Sequence, residues 1–279
     1  MDTKNVILTT LEQNRGIPVS GTQIAKTLNI SRNAVWKAIT SLKNEGYSID
    51  AVSNRGYTLT HDNDILSRAG IVPYLADEEF AKKIHIHKSL QSTNKTAKEL
   101  AINGSEHGTI IIANTQTTGK GRYDKHFYSP PATGLYMSII LRSPELDLTN
   151  TTHITKTAAV AVCKTIENLT CLNPKIKPVN DIFLNSKKIC GILTEAISDL
   201  ESGNIEWAVV GIGINVSTAN FPKELENIAT SIFAESSESV DAALRSRLAA
   251  ELTNFFLSIK NFGIDIENEY ENRKSSTFY

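Results

Sequence analysis

Residues 20–45 limit the fold of this chain more than any other stretch. Ser20-Gly-Thr-Gln23 has the form of a capping box, which opens a helix. Ile24, Ala25 and Leu28 then point inward at helical spacing. Asn29-Ile30 leaves room for a short turn. Ser31 is a favourable N-cap for the next helix, expected over Arg32–Glu45. On it Val35, Ile39 and Leu42 recur at i, i+4 and i+7 and form one apolar face. Gly46 is placed to end that helix. Upstream, Val6–Leu11 is apolar at helical spacing. Downstream, Tyr47–Val52, a turn at Ser53-Asn-Arg-Gly56 and Tyr57–Leu59 read as a two-stranded wing.

Helix, helix, short turn, helix and wing is the winged helix-turn-helix plan, whose third helix enters the major groove of DNA. Ser31, Arg32 and Asn33 stand at that helix's N-terminal end, nearest base edges. Arg and Asn both make bidentate base contacts. Lys37 and Arg55 are candidate phosphate contacts, which position without specifying sequence. Residues 1–60 carry seven Lys/Arg against four Asp/Glu, so a net of +3 leaves −4 for the rest of a chain whose total is −1. A basic head on an acidic body suits local phosphate contact. The competing reading of the same residues is a small helical interaction module with a solvated polar face.

A chain of 279 residues is long enough for about two domains. No apolar run approaches the ~20 residues of a membrane span, and the N-terminus lacks a signal-peptide pattern, so a cytoplasmic protein without membrane attachment is expected. Cys163, Cys171 and Cys190 are widely spaced and odd in number, which argues against a disulfide framework or a CxxC metal site.

After a polar stretch, His61–Asp64, and a connecting helix over Ile65–Leu75, apolar strands recur at Lys83–His87, Thr109–Ala113, Leu135–Leu141, Ile189–Ala196 and Trp207–Val216. Helical patterns lie at Thr93–Asn103, Thr152–Asn168 and Val240–Phe262. Without regular βαβ spacing, this predicts an α+β body: a mixed sheet with helices on one face. The expected division is 1–62 for the head, 63–79 for a linker, 80–265 for the body and 266–279 for a C-terminal remnant.

Four segments of the body carry chemistry. Gln116-Thr-Thr-Gly-Lys-Gly-Arg122 alternates glycines with cations after a strand, a loop suited to wrapping an anion, although an ordinary solvated loop has the same composition. Asn180-Asp181 shapes a turn or holds Mg²⁺ through waters, and Lys188 stands at the start of Ile189-Cys-Gly-Ile-Leu193, where a cation can stabilise charge on phosphate. Gly211-Ile-Gly-Ile-Asn215 interrupts a strand with two glycines, as where a ligand approaches closely. Ser92-Thr93-Asn94 opens a helix, as a cap or as a binder of a neutral polar ligand head. His85 and His87 alternate on one strand and read as structural.

With the run Ile30–Lys37 and the Asn54-Arg-Gly-Tyr57 wing, these segments resemble, in order and over about residues 1–260, the bifunctional biotin protein ligases that also act as biotin-operon repressors. The resemblance implies adenylation of biotin by ATP to biotinyl-5′-AMP, then transfer to a lysine of a biotin carboxyl carrier protein. It also implies an adenylate-loaded homodimer on operator DNA. By position, Ser92, Thr93, Asn94, Gln116, Gly119, Gly121, Arg122 and Lys188 would line the biotin site, with Lys188 and Arg122 catalytic. Lys120, Phe127, Asn180, Asp181 and Asn215 would serve ATP, and Asp181 would serve Mg²⁺. The chain departs from the family at four places. The basic loop reads Gly119-Lys-Gly-Arg-Tyr-Asp-Lys125, with Asp124 at a glycine position. Lys177-Pro-Val-Asn-Asp181 lacks a pocket tryptophan, and Phe127 stands for another. The sequence ends at Tyr279, where the family continues into a small SH3-like barrel. Two readings therefore stand: a working ligase that represses transcription, and a biotin- or adenylate-sensing repressor with little ligase activity.

Overall fold

The computed structural model describes residues 3–52, 55–143, 150–198, 205–236, 241–258 and 265–275. The head begins with α1 (Thr3–Gln13), α2 (Gly21–Thr27) and α3 (Arg32–Asn44). Both expected caps form: Ser20 Oγ accepts from Gln23 N (3.4 Å) and Ser31 Oγ from Ala34 N (3.0 Å). Asn29 takes a left-handed φ of 52°, which asparagine tolerates, and so separates α2 from α3. Gly46, at φ 98°, follows the end of α3. Ile7, Leu11, Ile24, Val35, Ile39 and Leu42 meet in one core. β1 (Ile49–Val52) pairs antiparallel with β2 (Gly56–Leu59) as the wing, while Ser53 and Asn54 of its turn lie outside the described residues.

The connector is shorter than the helix expected over Ile65–Leu75. α4 (Arg68–Ile71) is followed by a 3-10 turn, Val72–Tyr74. Pro73 accounts for the change, because it has no N–H with which to extend an α-helix.

The body contains β3 (Ile84–His87), α5 (Thr93–Ile102), β4 (Ile110–Ala113), β5 (Gly134–Arg142), α6 (Thr151–Leu169), β6 (Lys175–Lys177), β7 (Asp181–Leu184), β8 (Lys187–Ser198), β9 (Ile205–Asn215), α7 (Ile232–Glu235), α8 (Leu244–Ser258) and α9 (Ile266–Arg273). The strands form one mixed sheet in the order β3-β4-β5-β9-β8-β7-β6. Only β3 and β4 are parallel, joined by α5; the other neighbours are antiparallel. The short strands β6 and β7 were not anticipated. Of the helix expected over Val240–Phe262, α8 occupies the central part, and residues 240 and 259–262 lie outside the described set.

The long helices α6 and α8 cover one face of the sheet, burying Met137, Ile139, Val210 and Ile212 among others. The single-face expectation holds for them but not for α5. Its Ala97 and Ala101 pack with Ile111, Ile140, Trp207 and Val209 on the opposite face. The segment after residue 265 folds onto the body: Tyr270 of α9 is buried, and Arg273 pairs with Glu167 of α6 at 2.8 Å.

Head and body meet through α1, α4 and α8. Arg245 of α8, 2% exposed, is the central group of this junction. It donates from Nε to Asp64 Oδ1 (2.9 Å), from Nη2 to the Asp64 carbonyl, and from Nη1 to Asn114 Oδ1 (3.0 Å). Nearby, Arg15 pairs with the buried Glu12 (2.6 Å) and donates to Asn63 O (2.7 Å). Burial pushes the carboxyls of Glu12 and Asp64 above their ordinary range, and the arginines only partly oppose this.

Candidate functional site

The site lies on the face of the sheet that carries α5, away from α6 and α8. Strand register builds its floor. Ser138, Gly211 and Leu193 are successive cross-strand partners on β5, β9 and β8. Two residues along, Tyr136, Gly213, Gly191 and Asp181 form a second row, reaching β7. Three glycines thus leave the middle of the floor bare. Above it opens a cleft of about 630 Å³, walled by the N-terminus of α5, the 116–128 loop and residues 221–229. Among the described lining residues five are Lys or Arg (Lys120, Arg122, Lys125, Lys177, Lys188) and one is acidic (Asp181), so the cleft favours an anion.

The α5 end is a closed polar network. Ser92 caps α5, and Thr93 N and Oγ1 both donate to Gln116 Oε1 (2.9 and 3.2 Å). Gln116 Nε2 donates to Ser129 Oγ at 2.9 Å, which leaves its second N–H available. Asn94 Nδ2 donates to Leu193 O (3.1 Å) and Glu195 Oε2 (2.9 Å), and its Oδ1 accepts from Ser138 (2.7 Å). Gly211 is required beneath it, because a Cβ there would stand 2.0 Å from Asn94 Oδ1.

Lys188 marks the other half. Its backbone joins the 221–229 wall: Lys188 N donates to Ile228 O and Thr230 N to Lys188 O (2.8 and 2.9 Å). Its side chain crosses Gly191 and brings Nζ 2.6 Å from Asp181 Oδ1, an ionic contact without hydrogen-bond alignment. Asn180 donates to Ile192 O (2.9 Å) and accepts from Arg122 Nη1 (3.3 Å). Asn215 is 4% exposed and donates to Thr230 O, yet its Oδ1 has no partner. A buried acceptor left in that condition costs stability unless a donor arrives.

The 116–128 segment differs from the open anion-wrapping loop expected. It folds as a small hairpin, in which Gly121 N donates to Lys125 O (2.7 Å) and Phe127 N to Gly119 O (2.9 Å). The Gly121 N–H is therefore used inside the loop. Gly119 does not line the cleft; it permits the hairpin to close, since a Cβ there would lie 2.7 Å from Phe127 O. The Phe127 ring lies over Gly191 and Gly213 and meets Tyr136 edge-on at 6.4 Å. Tyr128 reaches Phe221 across the mouth, with ring centroids 6.2 Å apart. The Asp124 side chain lies outside the described residues.

The structure thus brings Ser92, Thr93, Asn94, Gln116, Lys120, Gly121, Arg122, Phe127, Asn180, Asp181, Lys188 and Asn215 to one cleft, with Gly119 behind its loop. Sequence reasoning missed Ser138, Glu195 and Ser129. For Ser138 and Glu195 the available signal was a polar residue inside an apolar strand, which must find a polar partner; Ser129, in the segment before Pro130, carried none. On the head, Ser31, Arg32, Asn33, Lys37 and Arg55 are all exposed. Trp36 stands 55% exposed beside them on α3. Among the described residues no helix is long and apolar enough to cross a membrane.

Two family models match the chain: the biotin/lipoate A/B protein ligase family over residues 86–215 and an HTH domain over residues 3–58. The bifunctional ligase/repressor BirA of Bacillus subtilis (strain 168) is 41% identical over 227 residues, covering 81% of this chain and 69% of that protein. The chain belongs to the bifunctional ligase/repressor family. The family's member from Escherichia coli K12 is 27% identical over 233 residues, covering 84% of this chain and 69% of that one. The body of this bifunctional ligase/repressor family member also superposes on the biotin protein ligase from Aquifex aeolicus solved with biotin and ATP. The TM-score is 0.53 at 26% identity, covering 68% of this chain and 78% of that one. The family inferred from the residues is thereby confirmed, as is the α+β fold.

Proposed function

We propose that the cleft binds biotin at the α5 end and ATP at the Asn180–Asn215 end, and joins them beneath Lys188. A biotin carboxylate oxygen attacks the α-phosphorus of ATP. The bond from that phosphorus to the bridging oxygen breaks, and pyrophosphate leaves with its electron pair. The product is biotinyl-5′-AMP. The ε-amine of a carrier-protein lysine then attacks the acyl carbon, AMP departs, and the nitrogen loses a proton. The carboxylate is its own nucleophile, so the protein's task is alignment and charge neutralisation.

The observation that carries this reading is the position of Lys188. Its side chain crosses the bare glycine floor between the polar network at α5 and the cationic part of the cleft. Arg122, tethered to Asn180, would add a second positive charge. The unpartnered Asn215 Oδ1 fits a donor such as the adenine amine. Phe127 offers an aromatic face beside the same space. For Mg²⁺, Asp181 is the one carboxylate among the described lining residues. It would hold the ion with the oxygen that Lys188 does not engage, and the ion would supply positive charge against the departing pyrophosphate. The head, in this reading, holds operator DNA through Ser31, Arg32, Asn33, Lys37 and Arg55, and the adenylate-loaded chain pairs as a homodimer there.

The test is biotin-dependent exchange of labelled pyrophosphate into ATP. Exchange by the wild type, abolished by Lys188→Ala, is expected. Biotin binding without any exchange would replace the ligase with a sensor-repressor.

A further inference from the structure

Glu195 and Lys98 do not line the cleft, yet their ion pair bears on what the cleft can recognise. Lys98 Nζ lies 2.7 Å from Glu195 Oε1, and the other carboxylate oxygen accepts from Asn94 Nδ2 at 2.9 Å. An amide has nearly the same outline with oxygen and nitrogen exchanged, so its neighbours set its direction. A carboxylate and a backbone carbonyl only accept. Glu195 Oε2 and Leu193 O therefore hold the NH₂ on their side and turn Oδ1 toward Ser138, 2.7 Å away. The one proton of Ser138 is committed there. Toward Thr93 Oγ1, at 2.8 Å, Ser138 can then only accept. The Thr93 proton goes to Ser138 or to Gln116, inside the network either way, so the Thr93 oxygen is left to accept from a ligand. Gln116 supplies the complementary second N–H beside it.

We propose that Glu195, clamped by Lys98, is a positioning residue that sets the hydrogen-bond polarity of the α5 end. In that polarity Thr93 accepts and Gln116 donates, which matches a ligand head with adjacent N–H and C=O groups, such as a cyclic urea. The inference rests on biotin occupying this end of the cleft.

A near-isosteric swap that removes the carboxylate charge tests it. In Glu195→Gln the Lys98 ammonium claims the single oxygen, and the new NH₂ faces Asn94. The Asn94 amide then meets a donor on one side and the Leu193 carbonyl on the other, so either orientation leaves one mismatch; where it reverses, the proton order of Ser138 and Thr93 reverses after it. Biotin affinity of the full chain, measured by calorimetry without ATP, should fall about tenfold or more, the effect of one mismatched buried hydrogen bond. ATP affinity should stay within about twofold, because the nucleotide end is untouched. Adding Lys98→Met to Glu195→Gln lets the Gln oxygen turn back to Asn94, so the double variant should bind biotin better than the single one. Unchanged biotin affinity in Glu195→Gln, or a double variant weaker than the single, overturns the assignment. A wild type that binds no biotin overturns the reading of the cleft and this inference together.

Discussion

Gly211 and Gly213 lie two residues apart on β9 and face the same way, yet an alanine at each should have a different fate. At Gly211 the new methyl would stand 2.0 Å from Asn94 Oδ1 and 2.7 Å from its Cγ. Asn94 can only swing away, and it then gives up its bonds to Leu193 O, Glu195 Oε2 and Ser138 Oγ. Ser138 is fully buried, so water does not readily replace the loss. Two neutral bonds at about 1 kcal/mol each and one to a charged acceptor at about 2 kcal/mol sum to roughly 4 kcal/mol. At about 2–4 °C per kcal/mol for a chain of this size, the melting temperature should drop by roughly 8–16 °C. At Gly213 the methyl would meet the Phe127 ring, 2.6 Å away at Cε1, at the end of a surface hairpin that can yield. Losing that contact costs about 1 kcal/mol, or roughly 2–4 °C, while ATP affinity falls because the ring is displaced. Differential scanning calorimetry and nucleotide titration on the two variants decide the matter. Equal losses of stability, or a Gly211→Ala melting within about 3 °C of wild type, would refute the claim that the Asn94 network is rigid.

Arg245→Met should destabilise the chain by about 3 kcal/mol in urea, the lower end for a broken buried pair because Asp64 keeps 34% of its side chain exposed. Adding Asp64→Asn should recover part of that loss. Burial raises the folded-state pKa of Glu12 above its unfolded value. The folded protein then binds the proton more tightly, so this stability is present at low pH and is lost as pH rises through the folded pKa. Unfolding free energy measured from about pH 4.5 upward should therefore decline less steeply in Glu12→Gln than in wild type; an unchanged slope would contradict the burial argument. On DNA, Arg32→Ala or Asn33→Ala should relax operator specificity, whereas Lys37→Ala should weaken specific and random sequence alike and lower the salt slope by about one. Equal loss on both kinds of DNA for all three variants would remove the base-reading assignment.

The head was legible because its signals are local. Ser20 and Ser31 cap helices that follow them directly, and Val35, Ile39 and Leu42 repeat on one turn spacing. The long strands of the body were legible for the same reason. Lys175–Lys177 and Asp181–Leu184 were not, since the first has a single apolar residue between two lysines and the second opens on the Asn180-Asp181 pair, which reads as a turn. Pro73 was visible, but its effect on the connector depends on where α4 must stop to meet α8. The cleft was half legible. Lys188, Asn215 and the glycines announced themselves, whereas Ser138 and Glu195 acquire meaning only when strand register sets them beneath Asn94. Gly119 was recognised as part of the loop but given the wrong task, because hairpin closure is a matter of backbone distance.

The bare strip formed by Gly191, Gly211 and Gly213 has a consequence for how such a protein can change over time. A floor without side chains offers no group to exchange for another; an added methyl collides with Asn94 at Gly211 and with Phe127 at Gly213, and presses on Lys188 and Phe127 at Gly191. Variation that alters ligand preference must then accumulate in the overhanging segments, 120–128 and 221–229, which only border the strip. Selectivity can drift at the rim while the plane against which a ligand is flattened is inherited unaltered.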